Sequence, residues 1–428
     1  MSQTSAELIG SWFASKGWKP HAFQQDVWEA QAANEQGLII APTGSGKTYA
    51  AMASTLARAV LEETSGRKKA GVRMIWIAPI RALTKEIKLS AERLCEGFNL
   101  DWEVGTRTGD TLASEKARQR KQLPHVLITT PESLHVLLAM KGSGKRFLDL
   151  ECLIVDEWHE LLGTKRGVQV ELAASWLRLQ RPSLMVWGIS ATLGNPKEAM
   201  AALLGPGHAG KLIRAHWKKN IAVHSLMPSH LERLPWAGHL GLKLVDQVVD
   251  VIRNHGSTLI FTNTRSQSEI WYHKLLESAP DLAGTLALHH SSIAKELRDW
   301  VETALHEGEL QAVVCTSSLD LGVDFRPVEA VVQIGGPKGV ARFKQRAGRS
   351  GHSPHATSKV YFLPTHGLEL IEAAALRDSI ENERIEQRDP LIRSFDVLIQ
   401  FLCTLAVGDG FDALETEKMV QSTHAFAM

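Results

Sequence analysis

The stretch that decides the fold joins a short apolar run to a glycine-rich loop: Leu38-Ile39-Ile40-Ala41-Pro42-Thr43-Gly44-Ser45-Gly46-Lys47-Thr48. The apolar run predicts a buried parallel strand. Residues 49–63, rich in Ala, Met, Leu and Arg, predict a helix after the loop. A loop between a strand and a helix N-terminus is suited to bind phosphate, because its backbone N–H groups and the helix dipole both attract anions. The sequence therefore predicts a site for a nucleoside triphosphate.

The residue types of this loop each have a chemical role. Its glycines let backbone N–H groups approach phosphate oxygens, Lys47 supplies a positive charge, and Thr48 offers a hydroxyl to Mg²⁺. One departure from the usual pattern is Ala41, which takes the place of the first glycine. The loop residues expected to bind nucleotide are Thr43, Gly44, Ser45, Gly46, Lys47 and Thr48.

Further apolar runs predict a parallel sheet around this loop. They alternate with helical segments and lie at 38–40, 74–78, 126–128, 153–155 and 185–189. Such alternation is typical of an α/β domain. Because ligands bind at the carboxyl ends of parallel strands, we expect the polar segments that follow these runs to line one site.

An acidic pair, Asp156 and Glu157, directly follows the run 153–155. Hydrolysis of a γ-phosphate needs charge neutralisation and an oriented water. We expect Asp156 to hold Mg²⁺ together with Thr48, and Glu157 to orient or deprotonate the attacking water. The simpler alternative is a solvated turn, which a position at the end of a buried strand disfavours.

A second series of apolar runs follows the cluster Gly205-Pro206-Gly207. The runs lie at 258–261, 285–288, 312–314, 330–334 and 359–363, without a phosphate loop of their own. Arg346 and Arg349 belong to this second unit. We expect them to reach the γ-phosphate held by the first unit, where they would act in catalysis with Lys47. The alternative is a solvated helix face.

Beyond residue 367 the chain changes character. We expect a charged helical stretch at 368–388 and then an apolar helix at 391–407, which ends at residues 408–410. We therefore expect four parts, at 1–205, 206–225, 226–388 and 389–428: a nucleotide-binding domain, a linker, a second α/β domain and an incomplete third domain. The last part is too short to bury a core of its own, so we expect a truncated chain.

Bulk composition restricts the partners. The formal net charge is +1, so nucleic-acid contacts must come from local grooves and not from a basic body. The four cysteines form no CxxC pair, which argues against zinc and against a disulfide framework. No run is apolar for long enough to span a membrane, and no signal peptide is predicted. The cytosol is the expected location.

Together these motifs resemble a superfamily 2 helicase of the DExH type. Gln24 matches the adenine-reading glutamine, Ser190-Ala191-Thr192 matches the segment that couples hydrolysis to motion, and 316–325 matches the fifth motif. The runs that are similar to the Lhr-like (large helicase-related) group are 107–111, 129–134, 316–325 and 345–352. The stretch 398–411 resembles the branch associated with bacterial DNA ligase repair clusters.

The resemblance implies two tandem RecA-like parallel-sheet domains followed by the start of a winged-helix domain. It implies ATP and Mg²⁺ as cofactors, movement 3′ to 5′ along single-stranded DNA, and unwinding of duplexes, RNA:DNA hybrids among them, by the whole protein. It adds Gln24 and Asp324 to the nucleotide site. The residues with an implied coupling role are His159, Ser190, Thr192 and Gln345. A monomer in the bacterial cytosol or nucleoid is expected, with a DNA repair nuclease or ligase as candidate partner.

Single-stranded DNA is expected to cross loops of both units. Hydroxyls, backbone N–H groups and a few arginines suit phosphate contacts, which position the strand without reading its sequence. The expected contacts are Arg81, Arg107, Thr108, Thr130 and Pro131 in the first unit, and Asn263, Arg265, His290, Thr316 and Ser317 in the second. For the hydroxyls the alternative is a helix cap or turn; for the arginines it is a solvated surface charge.

Three other functions remain open from the sequence. An RNA helicase would use the same motor and differ in contacts to the 2′-OH. A translocase could remodel complexes without unwinding. A binding scaffold with an inactive ATPase is disfavoured, because the phosphate-loop lysine, the acidic pair and both arginines are present. The spacing 326–344 is short for a strand-separating hairpin, so we expect that element elsewhere.

Overall fold

The computed structural model describes residues 4–66, 71–81, 83–216, 220–227, 241–320, 328–351 and 357–427. It divides into two compact units. The first comprises Met1–His216 together with Gln387–Met428, and the second comprises Trp217–Glu386.

A parallel sheet forms the centre of the first unit. Within the described residues it has seven strands in the order β3-β4-β2-β5-β6-β1-β7. The strands are β1 (Gly37–Ile40), β2 (Met74–Ile77), β3 (Val104–Arg107), β4 (Val126–Thr129), β5 (Cys152–Val155), β6 (Met185–Ser190) and β7 (Lys211–Arg214). The central strands are buried throughout and almost entirely apolar, as expected of a parallel sheet covered on both faces.

Ten helices surround this sheet in the described part of residues 4–216. They are α1 (Ser5–Ser15), α2 (Ala22–Ala32), α3 (Lys47–Thr64), α4 (Leu83–Gly97), α5 (Ala113–Lys121), α6 (Pro131–Leu138), α7 (Ser143–Arg146), α8 (Trp158–Leu161), α9 (Lys165–Gln180) and α10 (Pro196–Leu204). In parallel sheets the polar loops after the strands meet at one edge. The loops after β1, β5 and β6 are neighbours there, because β5 pairs with β6 and β6 pairs with β1.

The second unit repeats this architecture without a phosphate loop. Its described strands lie in the order β10-β11-β9-β12-β13-β8 and are all parallel. They are β8 (Ile221–Ser225), β9 (Thr258–Phe261), β10 (Leu286–His289), β11 (Ala312–Cys315), β12 (Ala330–Ile334) and β13 (Ser358–Leu363). The helices are α11 (Val245–Arg253), α12 (Arg265–Ser278), α13 (Lys295–Glu307), α14 (Val340–Ala347) and α15 (Leu368–Glu381).

Every apolar run predicted as a strand is a strand in the structure. Three strands were not predicted: β3, β7 and β8. β3 carries a glycine, a threonine and an arginine, and β7 and β8 are edge strands with exposed residues. Their hydrophobic signal is therefore weak, since an edge strand buries fewer side chains than a central one.

The change from the first unit to the second lies within the segment expected to be a linker. Residues 206–225 were assigned to a linker, but β7 pairs with β1 in the first sheet and β8 pairs with β13 in the second. The change of unit comes between residues 216 and 217. Between Val328 and Gln345 the described chain contains β12, a short turn and α14, and no long hairpin is present in that stretch.

The C-terminal segment, residues 387–428, packs on the first unit. It contains α16 (Phe395–Val407) and α17 (Ala413–Gln421). Phe401 and Leu405 of α16 and Met419 of α17 belong to the same apolar core as the first sheet. Burial in an existing core stabilises a segment that cannot build its own. The expected third part is thus attached to the first unit, where α16 and α17 contact α6 and α9.

Among the described residues, none of the helices combines the length and apolar character that crossing a membrane requires. The same residues contain no group of three or more His, Cys, Asp and Glu side chains arranged to hold a metal ion.

Candidate nucleotide-hydrolysis site and nucleic-acid contacts

The predicted phosphate loop has the geometry that its glycines allow. Gly44 and Gly46 both adopt left-handed backbone conformations, with φ of +77° and +78°. Gly46 is the N-cap of α3, so Lys47 and Thr48 occupy the first turn of an 18-residue helix. The first N–H groups of a helix have no partner within it. The loop therefore presents backbone donors and the positive end of a helix dipole at one place.

Two polar side-chain atoms of the loop are buried without a hydrogen-bond partner among the described residues. They are Lys47 Nζ and Ser45 Oγ. Lys47 Nζ forms an ion pair with Glu157, whose Oε1 lies 3.8 Å away. An unpaired buried polar group costs free energy that a ligand oxygen would recover. These residues therefore fit a phosphate chain.

Gln24 is bound to the loop. Its side-chain Nε2 donates to the Gly46 carbonyl at 3.1 Å, and its Oε1 accepts from the His21 N–H at 2.8 Å. A Cβ on residue 46 would lie 2.7 Å from Gln24 Nε2 and would displace this amide, while the φ of +78° is the reason that glycine is needed there. The side chain of Gln24, which is expected to read adenine, is thus hydrogen-bonded to Gly46, the N-cap of α3.

The acidic pair lies directly after β5. Asp156 Oδ1 accepts from the Glu157 N–H at 2.8 Å. Burial, and then the Glu157 charge, raise the pKa of Asp156 to about 7, against the opposing effect of Lys47. A bound cation would offset that cost, so Asp156 fits the expected role of holding Mg²⁺, while the role of Thr48 stays a prediction. Two buried carboxylates beside a lysine are suited to phosphate chemistry.

Glu157 has an unusual backbone. Its φ is +44°, in the left-handed region, although it is not glycine. Such a conformation costs about 1–3 kcal/mol and is found mainly where the surroundings enforce it, often at functional sites. Here it ends the strand sharply and starts α8, a helix of four residues. The expected catalytic carboxylate is therefore held by a strained turn next to Lys47.

His159 connects this turn to the loop after β6. It is buried, its Nδ1 lies 2.9 Å from Ser190 Oγ, and its two ring nitrogens lie 3.5 Å from the carboxylates of Glu157 and Glu160. Burial lowers the pKa of His159, although both carboxylates oppose that shift. Ser190 Oγ also donates to the Thr192 carbonyl at 3.3 Å. The first-unit residues predicted to couple hydrolysis to motion are thus in contact.

In the second unit, the side chain of the predicted arginine Arg346 binds residues of the same unit. Arg346 Nε and Nη2 donate to the two carboxylate oxygens of Asp320, at 2.7 and 3.2 Å, and Nη1 donates to Gln333 Oε1 at 2.7 Å. Its guanidinium also lies over the ring of Phe261, 4.7 Å from the centroid. With 2% of the residue exposed, Arg346 stabilises its own unit in this structure, and its expected contact with a phosphate stays a prediction.

Arg349 is the other predicted arginine of this unit. Its Nη2 donates to the Asp320 carbonyl at 2.9 Å, and the residue is buried. Gln345, expected to couple, is buried on α14 beside these arginines. Asp324, expected in the nucleotide site, lies outside the described residues. A role for Arg349 in hydrolysis stays a prediction.

In the first unit, the expected DNA contacts divide into exposed and buried groups. Thr130 is the N-cap of α6 and Pro131 is its first residue, so this helix end offers N–H groups to a phosphate. Arg81 is exposed and paired with Asp110 at 2.6 Å. Thr108 accepts from the Asp110 N–H within the same turn.

Arg107 does not fit the expected role. It is buried, and its Nη1 lies 3.4 Å from both the Lys116 carbonyl and Gln119 Oε1. Burial lowers the pKa of this guanidinium. A charged side chain enclosed in this way supports the turn between β3 and α5, and a contact of Arg107 with DNA stays a prediction.

In the second unit, the expected contacts follow three neighbouring strands. Thr264 caps α12, and Arg265 Nη2 donates to Ser291 Oγ at 3.1 Å. Asn263 Nδ2 donates to the Gly336 carbonyl at 2.8 Å, and His290 Nε2 lies 3.2 Å from Glu269. Thr316 and Ser317 follow β11. Since β9, β10 and β11 are adjacent and parallel, all of these residues share one sheet edge.

The prediction missed Arg166, at the start of α9. Its Nε donates to Glu132 Oε1 and its Nη1 to the Pro79 carbonyl, both at 2.6 Å. It thereby joins the loop after β2 to the N-terminus of α6. No local pattern marks it, because its partners are 34 and 87 residues away in the chain.

Comparison with protein families gives three matches along the chain. The DEAD/DEAH box helicase family matches residues 21–199. The helicase conserved C-terminal domain matches residues 242–353. The winged helix domain of the large helicase-related protein matches residues 378–428.

Individual relatives agree with these matches. The ATP-dependent helicase Lhr-Core protein 2 of Thermococcus barophilus is 33% identical over 92% of this chain and 47% of its own length. The Lhr helicase/uracil glycosylase of Escherichia coli is 30% identical over 95% of this chain and 30% of its own. The chain therefore spans less than half the length of these curated relatives.

A solved structure extends the likeness to three dimensions. The Mycobacterium smegmatis helicase Lhr bound to single-stranded DNA and AMP-PNP is similar at a TM-score of 0.87 and 29% identity. The match covers 98% of this chain and 55% of that one. A likeness at this level covers both units and the C-terminal segment.

Proposed function

The chain belongs to the Lhr-like group of superfamily 2 helicases, and we propose that its two α/β units form an ATP-dependent motor that moves on single-stranded DNA. The observation that carries the proposal is the pair of buried atoms, Lys47 Nζ and Ser45 Oγ, that have no hydrogen-bond partner among the described residues. They lie at the N-terminus of α3, with Glu157 Oε1 3.8 Å from Lys47 Nζ. An ATP phosphate chain supplies the acceptors that these donors lack.

In the proposed reaction the first unit binds and positions ATP. Lys47, Ser45 and the backbone N–H groups of the loop hold the phosphates, while Thr48 and Asp156 would hold Mg²⁺. Mg²⁺, when bound, neutralises charge on the phosphate oxygens. Glu157 orients the attacking water and accepts its proton. Arg349 of the second unit is the arginine that we assign to the γ-phosphate in the ATP-bound state.

The link from hydrolysis to motion begins at His159. Its contact with Ser190 Oγ joins the turn that carries Glu157 to the end of β6. Ser190 pairs with Ile40 at the end of β1, and its carbonyl accepts from the Ala41 N–H at 3.0 Å. A change at the phosphates can therefore reach the loop after β6 through direct contacts.

The proposed track for DNA is made of helix N-termini and hydroxyls. At α6, which Thr130 caps and Pro131 begins, the backbone N–H groups that follow the proline provide donors for phosphate oxygens, and at α12 the first-turn N–H groups and Arg265 provide them. These contacts do not read bases, so we expect binding to be independent of sequence and weakened by salt. Single-stranded DNA as the substrate is supported by its presence, with AMP-PNP, in the similar M. smegmatis structure.

The finer assignments follow from the family. We propose movement 3′ to 5′, unwinding of duplexes that include RNA:DNA hybrids by the longer protein, and a role in DNA repair with a nuclease or ligase as partner, in the bacterial cytosol or nucleoid. Unwinding of duplexes with a 3′ or a 5′ single-stranded tail tests the direction. Displacement from the 5′-tailed duplex alone would contradict it.

The first experiment measures ATP hydrolysis without polymer, with single-stranded DNA and with single-stranded RNA. Strong stimulation by DNA, absent in Lys47→Ala, is the expected result. Equal or greater stimulation by RNA would favour an RNA helicase. Hydrolysis without unwinding of any tailed duplex would favour a remodelling translocase, and an absence of hydrolysis in this chain and in the longer protein would favour an inactive scaffold.

A further inference from the structure

The start of the C-terminal segment passes directly beside the hydrolysis motif. Arg388 Nη1 donates to the His159 carbonyl at 2.5 Å, and its Nη2 lies 3.7 Å from Glu160 Oε1. Glu160 Oε1 in turn lies 3.5 Å from His159 Nε2. The guanidinium therefore contacts both the backbone and a charged side chain of α8, the short helix that begins directly after Glu157.

The backbone around Arg388 is held on two further sides. Asn195 Oδ1 accepts from the Arg388 N–H, and Asn195 Nδ2 donates to the Arg388 carbonyl, both at 3.1 Å. The Asp389 carbonyl lies 2.8 Å from the position that a Cβ on Gly163 would occupy. Gly163 has φ of +73°, so this close passage needs glycine. Gly163 follows the motif that contains Glu157 and His159. Asn195 follows the motif Ser190-Ala191-Thr192, which His159 contacts through Ser190.

The C-terminal segment is itself firmly anchored. The Gly142 N–H donates to both carboxylate oxygens of Asp409, at 2.8 and 2.9 Å, and the Ala425 N–H donates to Glu171 Oε2 at 2.8 Å. Phe401 is fully buried against the first-unit core. Arg388 is thus the end of a packed element, and its position depends on how that element is docked.

We propose that Arg388 is a positioning residue for ATP hydrolysis, through which residues 387–428 control the turn that carries Glu157 and His159. The proposal rests on the function proposed above. The physical reason is the weakness of α8 by itself, since four residues form too few hydrogen bonds to stabilise a helix. Glu157 is moreover held in a sparsely populated conformation, which persists only under outside constraint.

The test compares Arg388→Ala and Arg388→Lys with Lys165→Ala. Lys165 forms an exposed ion pair with Asp396, which also joins the first-unit body to the C-terminal segment. Arg388→Ala is expected to lower kcat for DNA-stimulated ATP hydrolysis about tenfold, the equivalent of one hydrogen bond to a charged group. KM for ATP should change less than about twofold, because no phosphate contact is lost.

Partial recovery by lysine separates positioning from simple anchoring. Arg388→Lys keeps a donor and a charge near Glu160, so we expect kcat to rise above that of Arg388→Ala. Lys165→Ala is expected to hydrolyse ATP like the wild type. An unchanged kcat in Arg388→Ala, an equal loss in Lys165→Ala, or a rise in KM alone would overturn the proposal. If Arg388→Ala does not fold, Arg388→Gln takes its place and is compared with Arg388→Lys and Lys165→Ala.

A second measurement does not depend on turnover. Hydrogen exchange of the amides of residues 158–163 should be faster in Arg388→Ala than in the wild type and in Lys165→Ala, without nucleotide. Equal exchange in all three proteins would contradict the positioning role. If neither the wild-type chain nor the longer protein hydrolyses ATP, the proposed function fails, and the exchange result still decides whether Arg388 holds α8.

Discussion

The two α/β units share one architecture, but the polar groups at their sheet edges differ in kind. In the first unit, Lys47 Nζ and Ser45 Oγ are buried without a hydrogen-bond partner among the described residues. In the second, the Arg346 guanidinium bonds both oxygens of Asp320 and also Gln333. Donors left without partners indicate a place for a ligand, whereas a satisfied network stabilises the unit that contains it.

This contrast separates two motifs that look equally functional in the sequence. Lysine in a phosphate loop and paired arginines both suggest contact with phosphate. Only the tertiary structure shows that Lys47 Nζ has no hydrogen-bond acceptor among the described residues, whereas Arg346 has acceptors in its own unit. Replacing each cation by methionine, which is apolar and of similar length, should therefore have opposite consequences for activity and stability.

The largest effect is expected for Lys47→Met. Loss of a charge that contacts the phosphates should lower kcat for ATP hydrolysis by about 10²–10³. Thermal stability should fall less than in Arg346→Met, because Lys47 Nζ has one ion pair, to Glu157 Oε1 at 3.8 Å, and no hydrogen bond among the described residues. Steady-state hydrolysis and thermal unfolding without nucleotide measure both. A large fall in stability would mean that the lysine, like Arg346, is a structural residue.

Arg346→Met is expected to act mainly on stability. It leaves the Asp320 carboxylate buried with fewer partners, which typically costs about 3–5 kcal/mol. Arg342 is a matched control, since its Nε lies 3.4 Å from Asp320 but its side chain is partly exposed; Arg342→Met should cost less than about 1 kcal/mol. Urea unfolding gives these values. A stable Arg346→Met protein without ATP hydrolysis would support the arginine-finger interpretation.

Glu171→Gln tests the attachment of the C-terminal segment. Burial raises the pKa of the Glu171 carboxyl to about 8, although the N–H groups of Ala425 and His424 oppose the shift. Because the folded pKa is raised, the stabilisation is complete below the ordinary pKa near 4.5 and is lost as pH rises through about 8. We expect a fall of about 2 kcal/mol in unfolding free energy between pH 6 and 8.

Glutamine removes the titration and keeps an acceptor for the Ala425 N–H. The difference in unfolding free energy between Glu171→Gln and the wild type should therefore grow in favour of the variant as pH rises. Urea unfolding at pH 6, 7 and 8 measures it. Parallel pH profiles for the two proteins would contradict the prediction.

The smallest effect is expected for Ser190→Ala. It removes one hydrogen bond to His159 Nδ1, worth about 1 kcal/mol, so kcat should fall about fivefold with KM for ATP little changed. Thr192→Ser is a suitable control, because the Ser190 hydroxyl donates to the carbonyl of Thr192 and not to its side chain. A larger effect of the control would place the coupling outside the His159–Ser190 contact.

The phosphate site could be predicted because its residues are contiguous. One loop of eight residues between a strand and a helix contains the glycines, the lysine and the hydroxyls, so local geometry brings them together. The acidic pair was also predictable, since it follows a buried strand whose position in a parallel sheet is given by the hydrophobic pattern. The order of the units and most of their strands followed from the same pattern.

The remaining site features depend on contacts between distant parts of the chain. Arg346 meets Asp320 across 26 residues, and Arg388 meets His159 across 229. Arg107, expected on the surface, is enclosed by α5. A sequence pattern gives the type of a side chain but not the partners that folding provides. Whether an arginine binds a ligand, stabilises its own unit or positions another residue is therefore decided by the tertiary structure.

The sequence by itself determined the chemistry of this protein: a nucleotide site at the carboxyl edge of one parallel sheet, and a second sheet without such a site. The tertiary structure decided how that chemistry is supported. It placed residues 387–428 on the first unit, since the apolar face of α16 has an existing core to join there. It also brought Arg388 to α8, because only the folded chain places an arginine from the C-terminal segment beside the turn at Glu157.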